Sequence, residues 1–235
     1  MPWRLHEKTH WDSLIDLLAE GPAILEKSDQ LSKLPPHELL PNVIEIIEEL
    51  LALDNSMQTY LSCLTNIYSG PLYWELPSLV TPLDLSDDWL QTVHAANSTI
   101  IHFLDIEIAR TLTLYWSMLT MIYSGLNDLW GAMQSFLSDE ILKVKFEQIY
   151  LSLAFGTKDW REPARKVCQS VQYCNDNAEI SQGVGNVVIA VPLDIVLGVM
   201  KNKTGCDAEY REAKRARQEI SRNWLRLLQF APEQT

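Results

Sequence analysis

The chain is short of cysteine, glycine and positive charge, and it has no long uninterrupted apolar run. Only four of its 235 residues are cysteine: Cys63, Cys168, Cys174 and Cys206. Thiols this few and this scattered exclude a disulfide-framed fold and suit a reducing compartment. Glycine occurs nine times, and no set of glycines builds a phosphate loop. Gly183 and Gly185 lack the third glycine of a dinucleotide fingerprint and the strand that should precede it, and no Gly-x-Ser-x-Gly run occurs. Lys and Arg total 19 against 31 Asp and Glu, a formal charge of −12. Such a chain is repelled by phosphate backbones unless its charge is segregated. The start, MPWRLHEKTHW, has no apolar signal core, so the glycosylation patterns at Asn97 and Asn202 are expected to stay unmodified. Apolar stretches are broken by Gly-Pro or laced with Ser and Thr, and no membrane span is expected.

Hydrophobic residues make up 47% and charged residues 21%, an ordinary globular balance. No run alternates with period two, whereas helical spacing recurs almost everywhere. The expected fold is all-α: one helical domain over residues 1–235, a single multi-helical array around a buried central helix. Thr9 with Asp12 caps a first helix. Its stripe of Trp11, Leu14, Ile15, Leu18 and Leu25 is interrupted at Gly21-Pro22. Asn42 with Glu45 signals a helix after Pro41, with Val43, Ile47, Leu50, Met57, Leu61, Leu64 and Tyr68 on one face, ended by Gly70-Pro71. Residues 71–86 read as an irregular crossing. Helix resumes near Trp89, with a break near Asn97, and its part from Leu104 to Met133 is apolar nearly all round, hence the central helix. A short helix from Ser138 or Asp139 to Phe155 ends at Gly156, and Asp159 with Glu162 caps the next. In 183–200, the β-branched Val187, Val188, Ile189 and Val191 favour a strand, but no partner strand is expected anywhere in the chain. A buried helix starting near Pro192, with an extended or helical lead-in, is expected. Tyr210, Ala213, Ile220, Trp224, Leu227 and Leu228 stripe a C-terminal helix, with Asp207 and Glu209 at its start and Arg222 and Arg226 at its end.

The candidate chemistry is sparse. On one helix, Cys168 and Cys174 would stand about 120° apart, flanking an apolar stripe rather than meeting on one ion, and zinc pairs are usually closer in sequence. Both thiols are expected reduced, buried and metal-free. Asp84, Asp87 and Asp88 resemble the magnesium motif of isoprenoid cyclases, but neither their order nor the partner pattern at Asn127-Asp128 or Asn175-Asp176 fits. His94 and His102 could share a helix face, yet no carboxylate completes a metal triad. Lys214-Arg215-Ala216-Arg217 is the one dense basic cluster, and between Asp207 and Arg226 six basic residues meet four acidic ones, which reads as a solvated face. No catalytic, cofactor-binding or metal-binding residue is assigned. The central helix carries a polar seam: Arg110, Thr113, Ser117, Thr120, Ser124 and Asn127. Small seam residues permit close helix approach, and their hydroxyls can bond back to their own helix. The other reading is a mixed polar–aromatic cavity for a small effector, formed by Thr113, Trp116, Ser117, Thr120 and Ser124.

Five segments, taken in order, resemble the region downstream of the DNA-binding head in fungal binuclear zinc-cluster transcription factors: LIDLLAEGPAILEKSD (14–29), GPLYWELPS (70–78), ARTLTLYWSMLTMIY (109–123), ARKVCQSVQYC (164–174) and AVPLDIVLGVM (190–200). The resemblance implies a non-enzymatic, all-helical regulatory region acting in the nucleus through protein partners (the transcription machinery or a related factor) or a small effector. Without it, a cytoplasmic location is expected. The six closely spaced cysteines of the family's head are missing, so no zinc ligand or DNA contact carries over to any residue, and direct DNA binding by this chain alone is not expected. The chain is then a fragment, a truncated or mis-predicted gene product, or a stand-alone relative. The alternatives are an all-helical magnesium-dependent enzyme of the terpene-cyclase kind and an orphan effector-binding protein.

Overall fold

Thr9 opens the first helix through a reciprocal cap. Its Oγ1 accepts the Asp12 backbone N–H at 3.2 Å, and Asp12 Oδ2 accepts the Thr9 N–H at 2.9 Å, so two donors without helical partners are satisfied at once. This element, α1 (His10–Leu18), stops before Gly21-Pro22, and α2 (Gly21–Gln30) starts there with proline in its first turn, where the missing N–H costs no helical bond. The computed structural model describes residues 8–77, 99–136, 158–177, 184–201 and 203–229. These are mostly helical, as the helical periodicity predicts, and include a two-stranded sheet, which it does not. They divide into two compact units, one from residues 1–67 and 118–162, the other from 68–117 and 163–235.

In the first unit a 3-10 turn, Leu31–Lys33, leads into α3 (Pro36–Ile67), against which α1 and α2 pack. Val43, Ile46, Ile47, Leu50, Leu53, Met57, Tyr60 and Leu64 recur at helical spacing and are all buried. Lys27 of α2 pairs with Glu45 and Glu49, one turn apart on α3. The helix starts earlier than the expected cap at Asn42: Pro41 lies inside it, and Asn42 Nδ2 donates to the Glu38 carbonyl at 2.7 Å. Proline near a helix start forfeits one backbone bond, and the long buried face downstream outweighs it.

The second unit contains the element that periodicity missed. β1 (Tyr73–Pro77) pairs antiparallel with β2 (Thr99–Phe103), with Tyr73 opposite Phe103 and Pro77 opposite Thr99. The expected irregular crossing at 73–77 and helix through 99–103 are both corrected. Aromatic and β-branched residues suit a pleated strand, and Pro77 sits at the terminal pair, where a lost donor matters least. Next comes α4 (Ile106–Phe136), whose first turn is held by Asp105 Oδ1 accepting the Ile108 N–H at 2.8 Å. Residues 106–117 of α4 belong to this unit and residues 118–136 to the first. Ile108, Ala109, Leu112, Tyr115, Trp116, Leu119, Ile122 and Leu126 are buried, so the expected buried central helix is observed.

Asp159 Oδ1 accepts the Arg161 N–H at 3.0 Å at the start of α5 (Arg161–Gln169), as its capping position predicts. The chain then breaks at Ser170, whose N–H is shared between the Lys166 and Val167 carbonyls, before α6 (Val171–Asp176). α7 (Val184–Lys201) is one helix with Pro192 inside it, so the start expected near Pro192 is corrected to Val184. Its buried row of Ile189, Leu193, Val196 and Met200 holds it helical despite the β-branched residues. Gly205, at φ 78°, turns the chain back, a conformation glycine adopts without steric cost. α8 (Asp207–Gln229) then packs on α7 through Ala213 and Ile220, with Arg217 paired to Asp194. The expected elements at Trp89–Asn97 and 138–156, the aspartates 84, 87 and 88, and His94 lie outside the described residues.

Candidate functional site

The polar seam is buried. Thr113, Ser117 and Thr120 are fully enclosed, and Trp116 and Ser124 nearly so. Thr113 Oγ1 donates to the Ala109 carbonyl at 2.7 Å, and Ser117 Oγ donates to the Leu114 carbonyl at 2.8 Å. These two hydroxyls are therefore satisfied by their own helix. Thr113, Trp116 and Ser117 belong to the second unit, Thr120 and Ser124 to the first.

In the second unit Trp116 joins an aromatic cluster that holds a cation of the protein's own. Its ring meets Tyr73 edge-on at 5.1 Å and Phe103 at 5.9 Å, and Phe103 meets Tyr173 at 5.2 Å. Lys166 Nζ lies 5.6 Å from the ring centres of both Tyr73 and Trp116 and donates to Tyr73 Oη at 3.3 Å. Ring quadrupoles attract an ammonium at this range, so the electronegative faces of two rings are engaged. His102 lies between Trp74, stacked at 6.4 Å, and Tyr173, at 5.7 Å. The Tyr173 hydroxyl is pushed up by burial, with a smaller push from Cys174 and Asp105. His102 sits on β2, so it is not on the helix face that its spacing from His94 would have allowed.

The first unit holds a buried charge that sequence reasoning missed. Asp54 of α3 is fully buried. Its Oδ1 accepts from Tyr123 Oη at 2.9 Å and Gln58 Nε2 at 3.2 Å, and its Oδ2 pairs with Lys158. Lys158 Nζ also lies 5.3 Å over the Tyr123 ring. A carboxylate out of water persists when paired and hydrogen-bonded, and both oxygens of Asp54 have partners. The signal was available: Asp54 stands four residues after Leu50 and three before Met57, on the apolar face of α3.

The cysteines separate. Cys168 lies on α5 and is half-buried; Cys174 lies on α6 and is fully buried. The break at Ser170 removes the single helix on which their angular separation was reckoned, and the expected burial is found at Cys174 alone. All four cysteines are free thiols, and burial pushes the Cys174 thiol up to about 12. Such a group stays protonated at neutral pH and is a poor nucleophile. Among the described residues no group of three or more His, Cys, Asp and Glu is placed to hold a metal ion, and no helix is long and apolar enough to cross a membrane.

The basic cluster on α8 is split by its helix. Arg217 turns to α7 and grips Asp194 through two bonds of 2.7 and 3.0 Å, which raises its pKa further, chiefly through that hydrogen bond. Lys214 and Arg215 face solvent, with the Lys214 ammonium 5.9 Å from the Tyr210 ring centre. Comparison of the chain with family models, curated proteins and solved structures finds no match.

Proposed function

We propose that the chain is a non-enzymatic regulatory domain that works through protein contacts, of the kind found downstream of the head in fungal zinc-cluster transcription factors. The order of the five segments at 14–29, 70–78, 109–123, 164–174 and 190–200 carries this reading. The mostly helical fold agrees with it. So does the meeting of three of those segments in one cluster, where Tyr73, Trp116, Lys166 and Tyr173 come together. On this reading the chain acts in the nucleus, its partner is the transcription machinery or a related factor, and any DNA contact comes from a head outside these residues.

The test is to fuse residues 1–235 to a heterologous DNA-binding head and measure a reporter under that head's control. The proposal expects reporter output to change several-fold relative to the head alone. An unchanged reporter, together with magnesium-dependent turnover of prenyl diphosphates by the purified chain, would replace it with a helical cyclase.

A further inference from the structure

Among the described residues β1 pairs with β2 alone, so its far edge has no strand beside it. The register tells which backbone groups that edge presents. The Leu104 N–H donates to the Leu72 carbonyl at 3.0 Å, and opposed residues of an antiparallel pair alternate between exchanging both bonds and exchanging none. Leu72, Trp74 and Leu76 therefore bond inward to β2, while Tyr73 and Glu75 point their N–H and C=O groups outward. Glu75 and Pro77 are exposed. Trp74 and Leu76, neighbours on one face of the strand, are each 41% exposed. Open edges are usually blunted by lysine, by a bulge or by proline within the strand. None of these interrupts Tyr73 to Leu76; the pairing is one to one, and Pro71 and Pro77 stand only at the two ends.

The residues along this edge read nearly the same in both directions: Pro71-Leu72-Tyr73-Trp74-Glu75-Leu76-Pro77. Laid antiparallel on a second copy of itself about Trp74, the strand sets Pro71 opposite Pro77, Leu72 opposite Leu76, Tyr73 opposite Glu75 and Trp74 opposite Trp74. The outward N–H and C=O groups of Tyr73 then meet those of Glu75 on both sides of the axis, and no proline falls where a donor is needed. Other registers do worse. Centring on Glu75 sets like charges opposite each other. Centring on Tyr73 leaves the Glu75 carbonyl facing Pro71, which has no N–H. Charge also favours the Trp74 register: the second copy's Glu75 stands opposite Tyr73, whose hydroxyl accepts from Lys166 Nζ at 3.3 Å.

We propose that the chain forms a two-fold dimer by pairing its β1 strands edge to edge, antiparallel, with Trp74 on the axis, so that two hairpins join into one continuous sheet. The occupant is a second copy because the edge is complementary to its own reverse, which is what a two-fold interface requires. The main-chain bonds supply the attraction, and the side chains fix the register. Trp74 meets its own counterpart at a pair that exchanges no backbone bonds, where side chains approach most closely. Leu76, exposed in one copy, is carried to the margin of the other copy's buried Leu72. Two strands alone make a marginal sheet, and further strands stabilise it. This inference goes beyond the regulatory reading above and does not depend on it.

Sedimentation equilibrium of the full chain over about 1–200 μM is expected to show a reversible monomer–dimer equilibrium. Glu75→Pro removes an outward N–H and no bond to β2, and it should weaken the dimer at least about tenfold. Trp74→Lys sets like charges opposite each other on the axis and should do the same. Circular dichroism shows whether each variant keeps the fold, and Trp74→Lys decides if Glu75→Pro does not. The register has its own test in a Cys63→Ser background, which removes the exposed thiol. Trp74→Cys brings two Cα atoms to about 4.5 Å, within reach of a disulfide, and mild oxidation should convert most of the protein to a covalent dimer. Leu76→Cys leaves the thiols about 13 Å apart along the strands and should give little. A monomer at every concentration overturns the proposal. So does a dimer that survives in the folded Glu75→Pro and Trp74→Lys variants, or covalent dimer formed equally well from Trp74→Cys and Leu76→Cys.

Discussion

Asp54 and Lys158 show how much one side chain can matter in this fold. Asp54 has almost no exposed surface, and Lys158 is about four-fifths enclosed. Removing Lys158 leaves a buried carboxylate with only neutral donors, Tyr123 and Gln58. Lys158→Ala should therefore lose about 3–5 kcal/mol in urea unfolding, whereas Asp54→Leu combined with Lys158→Met should lose far less, because pairing mainly offsets desolvation. Equal losses in the two variants would show that packing and not charge compensation governs the site. Cys174 gives a prediction with a sign. Its thiol is held up to about 12 against an ordinary value near 9 by burial. Its contribution to stability is complete below pH 9 and is lost as pH rises from 9 towards 12, because the unfolded chain releases that proton first. The slope is about 1.4 kcal/mol per pH unit. Cys174→Val should flatten the decline measured by unfolding at pH 8, 9 and 10, and a thiol reagent should modify the exposed Cys63 long before Cys174.

At the scale of elements, what the sequence made legible depended on whether an element carries its own period. α1 declares itself by Thr9 and Asp12, and α4 by apolarity on nearly every side. Trp116 is 3% exposed and contacts Tyr73, Phe103 and Lys166, so Trp116→Ala should cost about 3–5 kcal/mol. Thermal or urea unfolding checks this; an unchanged midpoint would mean the cluster contributes no packing. The hairpin was illegible because each strand is five residues long and its partner lies beyond residues 78–98; pairing is a non-local fact that no window along the chain contains. Pro41 and Pro192 misled for a related reason. Local propensity places a boundary at proline, but a row such as Ile189, Leu193, Val196 and Met200 stabilises the helix by more than one lost bond costs. The seam was legible as a spacing of hydroxyls. That Thr113 and Ser117 spend them on their own carbonyls, and that Trp116 faces a lysine of the same chain, required the fold. Asp54 was passed over because a lone acid inside an apolar face looks like noise until Lys158, 104 residues away, is placed beside it.

At the scale of the whole molecule, charge decides the argument. A DNA-binding domain concentrates cations where phosphates will lie, and its affinity falls steeply with salt as counterions are released. This chain has a net charge of −12. Its densest basic run is divided, with Arg217 committed to Asp194 and the remaining cations spread over about 16 Å of one helix. Four exposed cations of this kind can hold a few phosphates weakly, and nothing in their arrangement reads a base edge, which takes side chains projecting together into a groove. Residues 1–235 alone are therefore expected to show no sequence-selective binding of duplex DNA at physiological salt. A residual non-specific affinity should vanish between about 50 and 200 mM salt. Titration of labelled duplexes of random and selected sequence measures both. Sub-micromolar, sequence-selective binding by this chain would overturn the expectation and move the regulatory reading from protein contacts to direct recognition. Binding that appears only when a separate DNA-binding head is fused to the chain would instead divide the labour as proposed, with the head choosing the site and these helices choosing the company it keeps.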